Sequence, residues 1–187
     1  MKKLILDRVE GFLTKQECND IIEACKHSFP ASRGLINFLD RESKLVQDGK
    51  LELLASAINK KILDLIQRRF PEESLKLSWH SIRKYSPKGV RYKEQHRDYG
   101  RYTLTCLLSD PDDFEGCELW IKLDGTSCSI HKQKNHILES RKQGEIICFR
   151  GAKSDEGGQY HGTTRITFGE RFIMAWFFVK DTKRKRK

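Results

Sequence analysis

The stretch Tyr160-His161-Gly162-Thr163-Thr164-Arg165-Ile166-Thr167-Phe168-Gly169-Glu170-Arg171-Phe172-Ile173-Met174-Ala175-Trp176-Phe177-Phe178-Val179 reads as two strands joined through Gly169. It is rich in β-branched and aromatic residues, with a glycine where the chain must reverse. The reversal would bring Arg171 back beside His161. Far upstream, Gln95-His96-Arg97-Asp98-Tyr99 supplies a second histidine and a carboxylate two residues apart. On a strand, residues two apart share a face, so His96 and Asp98 could reach one metal ion while Arg97 points away. The third ligand must then come from a facing strand, and a long gap before His161 is expected. Two imidazoles and one carboxylate on three corners of an octahedron leave three positions open. A guanidinium at Arg171 would be an always-charged, two-pronged receptor for a carboxylate beside that metal.

This ligand set is the one used by non-haem Fe(II) oxygenases. Other segments fall in order around it: Phe12-Leu13-Thr14-Lys15-Gln16-Glu17-Cys18, then Ile82-Arg83-Lys84-Tyr85-Ser86-Pro87-Lys88-Gly89 with Tyr92, then Glu115-Gly116-Cys117-Glu118-Leu119, then Gly144-Glu145-Ile146-Ile147-Cys148-Phe149. With them the chain resembles the Fe(II)- and 2-oxoglutarate-dependent dioxygenases, and within these the prolyl 4-hydroxylase-like branch. The resemblance runs from Phe12 to Val179. It implies that His96, Asp98 and His161 hold iron as the catalytic centre, that Arg171 holds the far carboxylate of 2-oxoglutarate, and that Tyr85 helps.

Two departures stand out. Relatives often show Tyr-Leu-Asn after the HxD strand, where this chain has Leu107-Leu108-Ser109. Thr105, on the same strand face as Leu107, is the substitute for the missing hydroxyl. The usual paired glycine is Gly116-Cys117 here. The resemblance further implies Fe(II), 2-oxoglutarate and O2 as cofactor and cosubstrates, with room for ascorbate, and hydroxylation of an unactivated C–H bond with release of succinate and carbon dioxide. A prolyl side chain of a protein or peptide is the leading substrate. A free amino acid, another small molecule or a nucleic acid are the alternatives. Nucleic-acid demethylases of the superfamily resemble a pattern with a second arginine six residues after the first; Phe177 stands there in this chain, which argues against that reading.

Structural readings stand beside these. An isolated HxD is common by chance, and it is the distal histidine with an arginine ten residues on that favours a metal site. Tyr85 could be a plain core tyrosine and Thr105 an ordinary strand threonine. His27, His80, His131 and His136 lack such company and read as structural or solvent-facing. Arg83, Arg101 and Arg165 are next in line should Arg171 not bind the cosubstrate. From other classes come a jelly-roll binding module without chemistry, and a hydrolase or isomerase using another divalent metal at the same ligands.

At 187 residues, 37% hydrophobic and 33% charged, the chain is expected to form one domain over 1–179 with a sizeable core. No apolar run is long enough to span a membrane. The start, Met1-Lys2-Lys3-Leu4-Ile5-Leu6-Asp7-Arg8, places charges where a signal peptide would stay apolar, so no secretion signal is expected. Cys18, Cys25, Cys106, Cys117, Cys128 and Cys148 form no CxxC pair and read as reduced thiols. An intracellular, cytoplasmic setting follows as the expectation, and it suits ferrous iron. From Lys180 to Lys187 six basic residues face one aspartate, a surplus of five in a net charge of +10. The 180–187 segment reads as a disordered basic tail. Nuclear targeting or nucleic-acid binding through Lys183–Lys187 is the less favoured alternative. Nothing in the sequence specifies an oligomeric state.

Residues 15–29 and 51–70 carry helical apolar spacing, with Thr14 and Glu17 as a capping box for the first. Residues 33–49 read as a polar loop over the mouth of the site. Strands are expected at Leu77–Arg83, Arg101–Leu108, Cys117–Lys122, Glu145–Arg150, Gly162–Thr167 and Arg171–Val179. Helices followed by many short strands fit a distorted double-stranded β-helix, a jelly roll buttressed by helices.

Overall fold

The computed structural model describes residues 7–27, 29, 34–37, 50–122, 136–139, 141–155 and 157–181. Most of the 33–49 loop, Cys128, His131 and the 182–187 end of the basic tail lie outside the described residues. So does the side chain of His136.

Two helices precede most of the strands. Helix α1 (Lys15–Cys25) opens on Thr14, whose side chain accepts from the Glu17 N–H while Glu17 accepts from the Thr14 N–H, the capping box read from sequence. Helix α2 spans Lys50–Arg69. The strands are β1 (Asp7–Val9), β2 (Leu35–Asn37), β3 (Leu75–Tyr85), β4 (Tyr102–Leu107), β5 (Phe114–Gly116), β6 (Leu119–Lys122), β7 (His136–Glu139), β8 (Ile146–Arg150), β9 (His161–Thr163), β10 (Ile166–Gly169) and β11 (Arg171–Lys180). A six-stranded sheet runs β1-β8-β4-β11-β3-β2; β7-β6-β9 and β10-β5 form two smaller sheets. All the pairings are antiparallel.

Strand alternation decides what each face of the large sheet does. Phe172, Met174, Trp176 and Phe178 of β11, with Tyr102, Leu104 and Cys106 of β4 and Ile146 and Cys148 of β8, pack on the helices through Cys18, Ile21, Cys25, Ile58, Ile62 and Ile66. The intervening residues Arg171, Ile173, Ala175 and Phe177 face the other way, as do Thr103 and Thr105 of β4 and Ser81, Arg83 and Tyr85 of β3, and these line a pocket. Because both faces are covered, β4, β8 and most of β11 are buried at every residue. Burial at about 25 cal/mol per Å² makes the helix-facing layer the main stabilising term, and the polar groups are left for the opposite face.

Several local expectations are corrected. The first helix ends at Cys25, not residue 29, with Lys26 as its C-cap, the Lys26 N–H donating to Ile22 O. Phe29 still reaches the core, its ring edge-on to Phe172 at 5.6 Å. The expected single strand 162–167 is two strands: β9 pairs with β6, and β10 pairs with β5 in a different sheet. Its partner breaks at the matching place, where Gly116 and Cys117 both take positive φ, 76° and 55°. That left-handed pair, natural for glycine and costly for cysteine, turns the chain from β5 into β6. Strands β1, β2, β5 and β7 were not expected at all.

His80 gives a test of this packing. The Trp176 indole N–H donates to Asn59 Oδ1 at 2.9 Å, and Asn59 Nδ2 donates to His80 Nε2 at 3.5 Å, which leaves His80 neutral. Burial pushes its pKa down from 6.5 to about 4. On acidification the unfolded chain takes up a proton that the folded chain refuses, so the contribution of His80 to stability should fall between about pH 6.5 and pH 4 and level off below. The imidazole is partly exposed, so the loss should be on the order of 1–2 kcal/mol. Urea unfolding at stepped pH should show this slope, reduced in His80→Asn; an equal slope in the variant would assign it elsewhere.

Candidate active site

The pocket on the free face of the large sheet encloses about 550 Å³, part of it open to solvent. His96, Asp98 and His161 gather at its wall. His96 does not lie on a regular strand, as the sequence suggested, but on an isolated bridge to His161. The two residues exchange both backbone hydrogen bonds, each 2.9 Å, so the main chain sets one imidazole opposite the other. Upstream the same alignment continues: Thr163 N–H donates to Lys93 O at 3.0 Å, and Lys93 N–H donates to Thr163 Oγ1 at 2.8 Å. The approach is close enough that Gly162 is required. A Cβ there would lie 2.8 Å from Lys93 O and 2.7 Å from the Trp120 ring.

The three side chains converge. His96 Nε2 lies 3.2 Å from Asp98 Oδ1, and His161 Nε2 lies 3.3 Å from Asp98 Oδ2. One ligand atom from each residue falls within 4.8 Å of the others, the only such grouping of His, Cys, Asp and Glu among the described residues. Each imidazole is oriented from behind: His96 Nδ1 meets Glu94 O at 2.7 Å, and His161 Nδ1 meets Gln159 O at 3.2 Å. A carbonyl only accepts, so each Nδ1 carries a proton, and in the neutral imidazole that turns the Nε2 lone pair toward Asp98. Two lone pairs and a carboxylate facing one another repel unless protons or a cation sit among them. The donor set therefore fits a divalent metal ion. Burial alone would raise the Asp98 pKa; with protons on the two Nε2 atoms in place of a cation, His161 and then His96 hold it well below the ordinary carboxylate range.

Arg171 opens β11 and is buried, with 2% of its surface exposed. Its guanidinium lies 5.6 Å from the Tyr85 ring centre and 5.9 Å from that of Phe114, and Nη1 donates to Cys117 Sγ at 3.6 Å. Among the described residues no carboxylate pairs with it. Tyr85, Leu107, Cys117, Ile166 and Ile173 form an apolar cluster around this end of the pocket, which strengthens any charge interaction made there. Burial pushes the Tyr85 pKa up to about 12, against the opposing charges of Arg83 and Arg171, so the phenol keeps its proton as a donor. Thr105 lines the pocket with its Oγ1 buried and bonded to no group of the described residues.

The structure thus brings together all six residues singled out in the sequence: His96, Asp98, His161, Arg171, Tyr85 and Thr105. It also disposes of two reserve arginines. Arg101 is bound by Glu73 and, at 2.8 Å, by Asp155, while exposed Arg165 lies over the Tyr92 ring. Arg83, the third reserve arginine, does line the pocket, as do Lys93, Ser81, Thr103 and Arg141, which were not singled out. A signal for two of them existed, since Ser81 and Arg83 alternate with Tyr85 on one strand. Phe177 stacks on Trp79 with ring centres 3.9 Å apart and planes 3° from parallel, giving the pocket an apolar wall.

No family model matches the chain, and no curated protein matches it in sequence. Solved structures match it in fold. The truncated viral collagen prolyl hydroxylase of Paramecium Bursaria Chlorella virus-1 is 20% identical, with 95% of this chain and 90% of that one covered at a TM-score of 0.62. A prolyl-4-hydroxylase of Pseudomonas putida is 12% identical over 96% and 94% of the two chains, at 0.58. HygX from Streptomyces hygroscopicus, solved with nickel and 2-oxoglutarate bound, is 12% identical over 96% and 84%, at 0.66. The fold is therefore the mainly β jelly roll shared with 2-oxoglutarate and iron oxygenases. No described helix is long and apolar enough to cross a membrane.

Proposed function

We propose that this chain is an Fe(II)- and 2-oxoglutarate-dependent dioxygenase that hydroxylates an unactivated C–H bond, with a prolyl side chain of a protein or peptide as the leading substrate. The observation that carries the reading is the pairing, in one pocket, of an acceptor-only His96, Asp98, His161 cluster with a buried Arg171 that has no carboxylate partner among the described residues. A metal site alone would suit a hydrolase or isomerase; a buried cation beside it calls for a carboxylate-bearing cosubstrate. Iron held by the triad would supply open coordination positions for activating cosubstrate and oxygen.

The residues divide the remaining work. His96, Asp98 and His161 fix the metal, with Glu94 O and Gln159 O holding the imidazoles in the ligating tautomer. Arg171 would receive the far carboxylate of 2-oxoglutarate in its fork, with Tyr85, opposite it across the sheet, as a hydroxyl donor at the same end and Thr105, opposite Ala175, as a second hydroxyl further along the pocket. Leu107, Ile173 and Phe114 keep water from that charge pair, while Phe149, Ala175 and Phe177 give the substrate side an apolar lining. No side-chain general base is required.

The reading is tested by supplying the purified protein with Fe(II), 2-oxoglutarate, oxygen and a library of proline-containing peptides. Succinate formation together with a mass gain of one oxygen on proline is expected. Succinate with oxygen gained only by a free amino acid or other small molecule would keep the chemistry and replace the substrate. Absence of succinate would remove both.

A further inference from the structure

Arg83 and Lys93 line the same pocket as the metal cluster, and neither has an ion-pair partner among the described residues. Arg83 projects from β3 on the face of Ser81 and Tyr85, its guanidinium 6.0 Å from the Tyr85 ring centre. Lys93 comes from the segment held against β9, its main chain fixed by Thr163 on both sides. Burial, and then the nearby charge of Arg83, lower the Lys93 pKa against the smaller opposing effects of Asp98 and Glu94, so two like charges lie close together in the pocket.

The charge balance of the pocket makes this pair conspicuous. In the proposed loaded state a divalent metal and Arg171 are matched by Asp98 and the two carboxylates of 2-oxoglutarate. Arg141 is offset from behind: its Nη2 donates to Glu145 O at 3.0 Å, and against the effect of burial the Glu145 carboxyl is held low by Arg8, the Lys142 N–H and Arg141. Of the charged residues lining the pocket, Arg83 and Lys93 are left over. Uncompensated cations in a partly desolvated pocket are costly, and a bound anion relieves that cost.

We propose that Arg83 and Lys93 form a receptor for a carboxylate carried by the substrate itself. The inference rests on the dioxygenase reading above and narrows it to acidic substrates. The carboxylate could belong to an acidic residue next to the oxidised one in a peptide, or to a free amino acid. The two cations line the same pocket as Asp98, and Phe177, backed by Trp79 further along the sheet, offers that pocket an apolar side for a ring or chain. A fork from Arg83 and a point charge from Lys93 would fix such a substrate at two places.

The test uses protein loaded with Fe(II) and 2-oxoglutarate under nitrogen, and two pairs of probes that differ by one charge: acetyl-Pro-Glu-amide against acetyl-Pro-Gln-amide, and L-proline against L-prolinamide. Calorimetry should show the acidic member of one pair binding about tenfold more tightly or better, and raised salt should shrink the gap. The peptide pair responding assigns the carboxylate to a neighbouring residue, the proline pair to a free amino acid. In Arg83→Gln/Lys93→Gln the ratio should approach one. Lys93→Gln alone, which keeps the main-chain bonds to Thr163, should cut it severalfold if the double variant does not fold. A ratio near one in wild type for both pairs, equally undetectable binding included, overturns the proposal, as does an unchanged ratio in the variants. Admitting oxygen separates the two claims. Acid-selective binding with no oxygen gained on proline upholds the receptor and sinks the prolyl reading, whereas oxygen gained without acid selectivity does the reverse.

Discussion

Asp98→Ala is expected to abolish 2-oxoglutarate turnover while leaving the fold in place. Asp98 is the one anion among the three ligands, and each of its oxygens faces a different histidine at 3.2 and 3.3 Å. Removing it leaves two neutral imidazoles to hold a divalent cation. Changes that merely disturb a ligand's support cost roughly 10–100-fold in metal affinity or activity, so loss of the charged ligand should exceed about 100-fold. The fold should survive because the local structure is carried by main chain. The Asp98 carbonyl accepts from Ala152 N–H at 2.7 Å, and the His96 to His161 bridge needs neither side chain. The measurement is iron content and succinate production on one sample, with circular dichroism as the control. Full turnover by Asp98→Ala would sink the triad.

Arg171→Ala should raise the 2-oxoglutarate requirement by about two orders of magnitude or more, since stripping one partner from a buried charge pair costs roughly 3–5 kcal/mol. The apolar cluster of Tyr85, Leu107, Cys117, Ile166 and Ile173 leaves the abandoned carboxylate little to replace the guanidinium. Arg171→Lys should be milder, keeping the charge and losing the fork. Tyr85→Phe should cost less than Arg171→Ala, about 1.5–3 kcal/mol for one hydrogen bond to a charged group. Titrating 2-oxoglutarate against succinate formation in the three variants gives the ranking. An unchanged requirement in Arg171→Ala would shift the cosubstrate toward Arg83, the reserve arginine that also lines the pocket.

What could be read from the sequence was set by chemistry with a fixed spacing. His96 and Asp98 two apart, a distant His161 and an arginine ten residues beyond it are legible together because, in the proposed reading, a metal and a dicarboxylate would impose the distances. The long β11 announced itself by its aromatic and β-branched run, and α1 by Thr14 and Glu17. Strands of three or four residues such as β1, β5 and β7 carry too few alternations to show a period of two. The break between β9 and β10 had no local signal, since Thr163, Thr164 and Ile166 all favour extended chain. It exists because the two halves pair with different strands on either side of the Gly116 and Cys117 turn. Lys93 and Thr103 went unremarked, and Arg83 was read only as a reserve arginine, because each becomes a pocket residue only through register: Arg83 opposite Ile173, Thr103 opposite Phe177, and Lys93 against Thr163.

The central claim is that the triad and Arg171 together make a 2-oxoglutarate-consuming iron site. Its most direct test is the conversion of isotope-labelled 2-oxoglutarate by the purified wild-type chain given Fe(II) and oxygen. The account predicts labelled succinate in an amount that requires added iron, stops with a chelator, and disappears in Asp98→Ala. Conversion that proceeds undiminished in the chelator and in Asp98→Ala, or intact 2-oxoglutarate with iron bound at the triad and a bound substrate present, would contradict it.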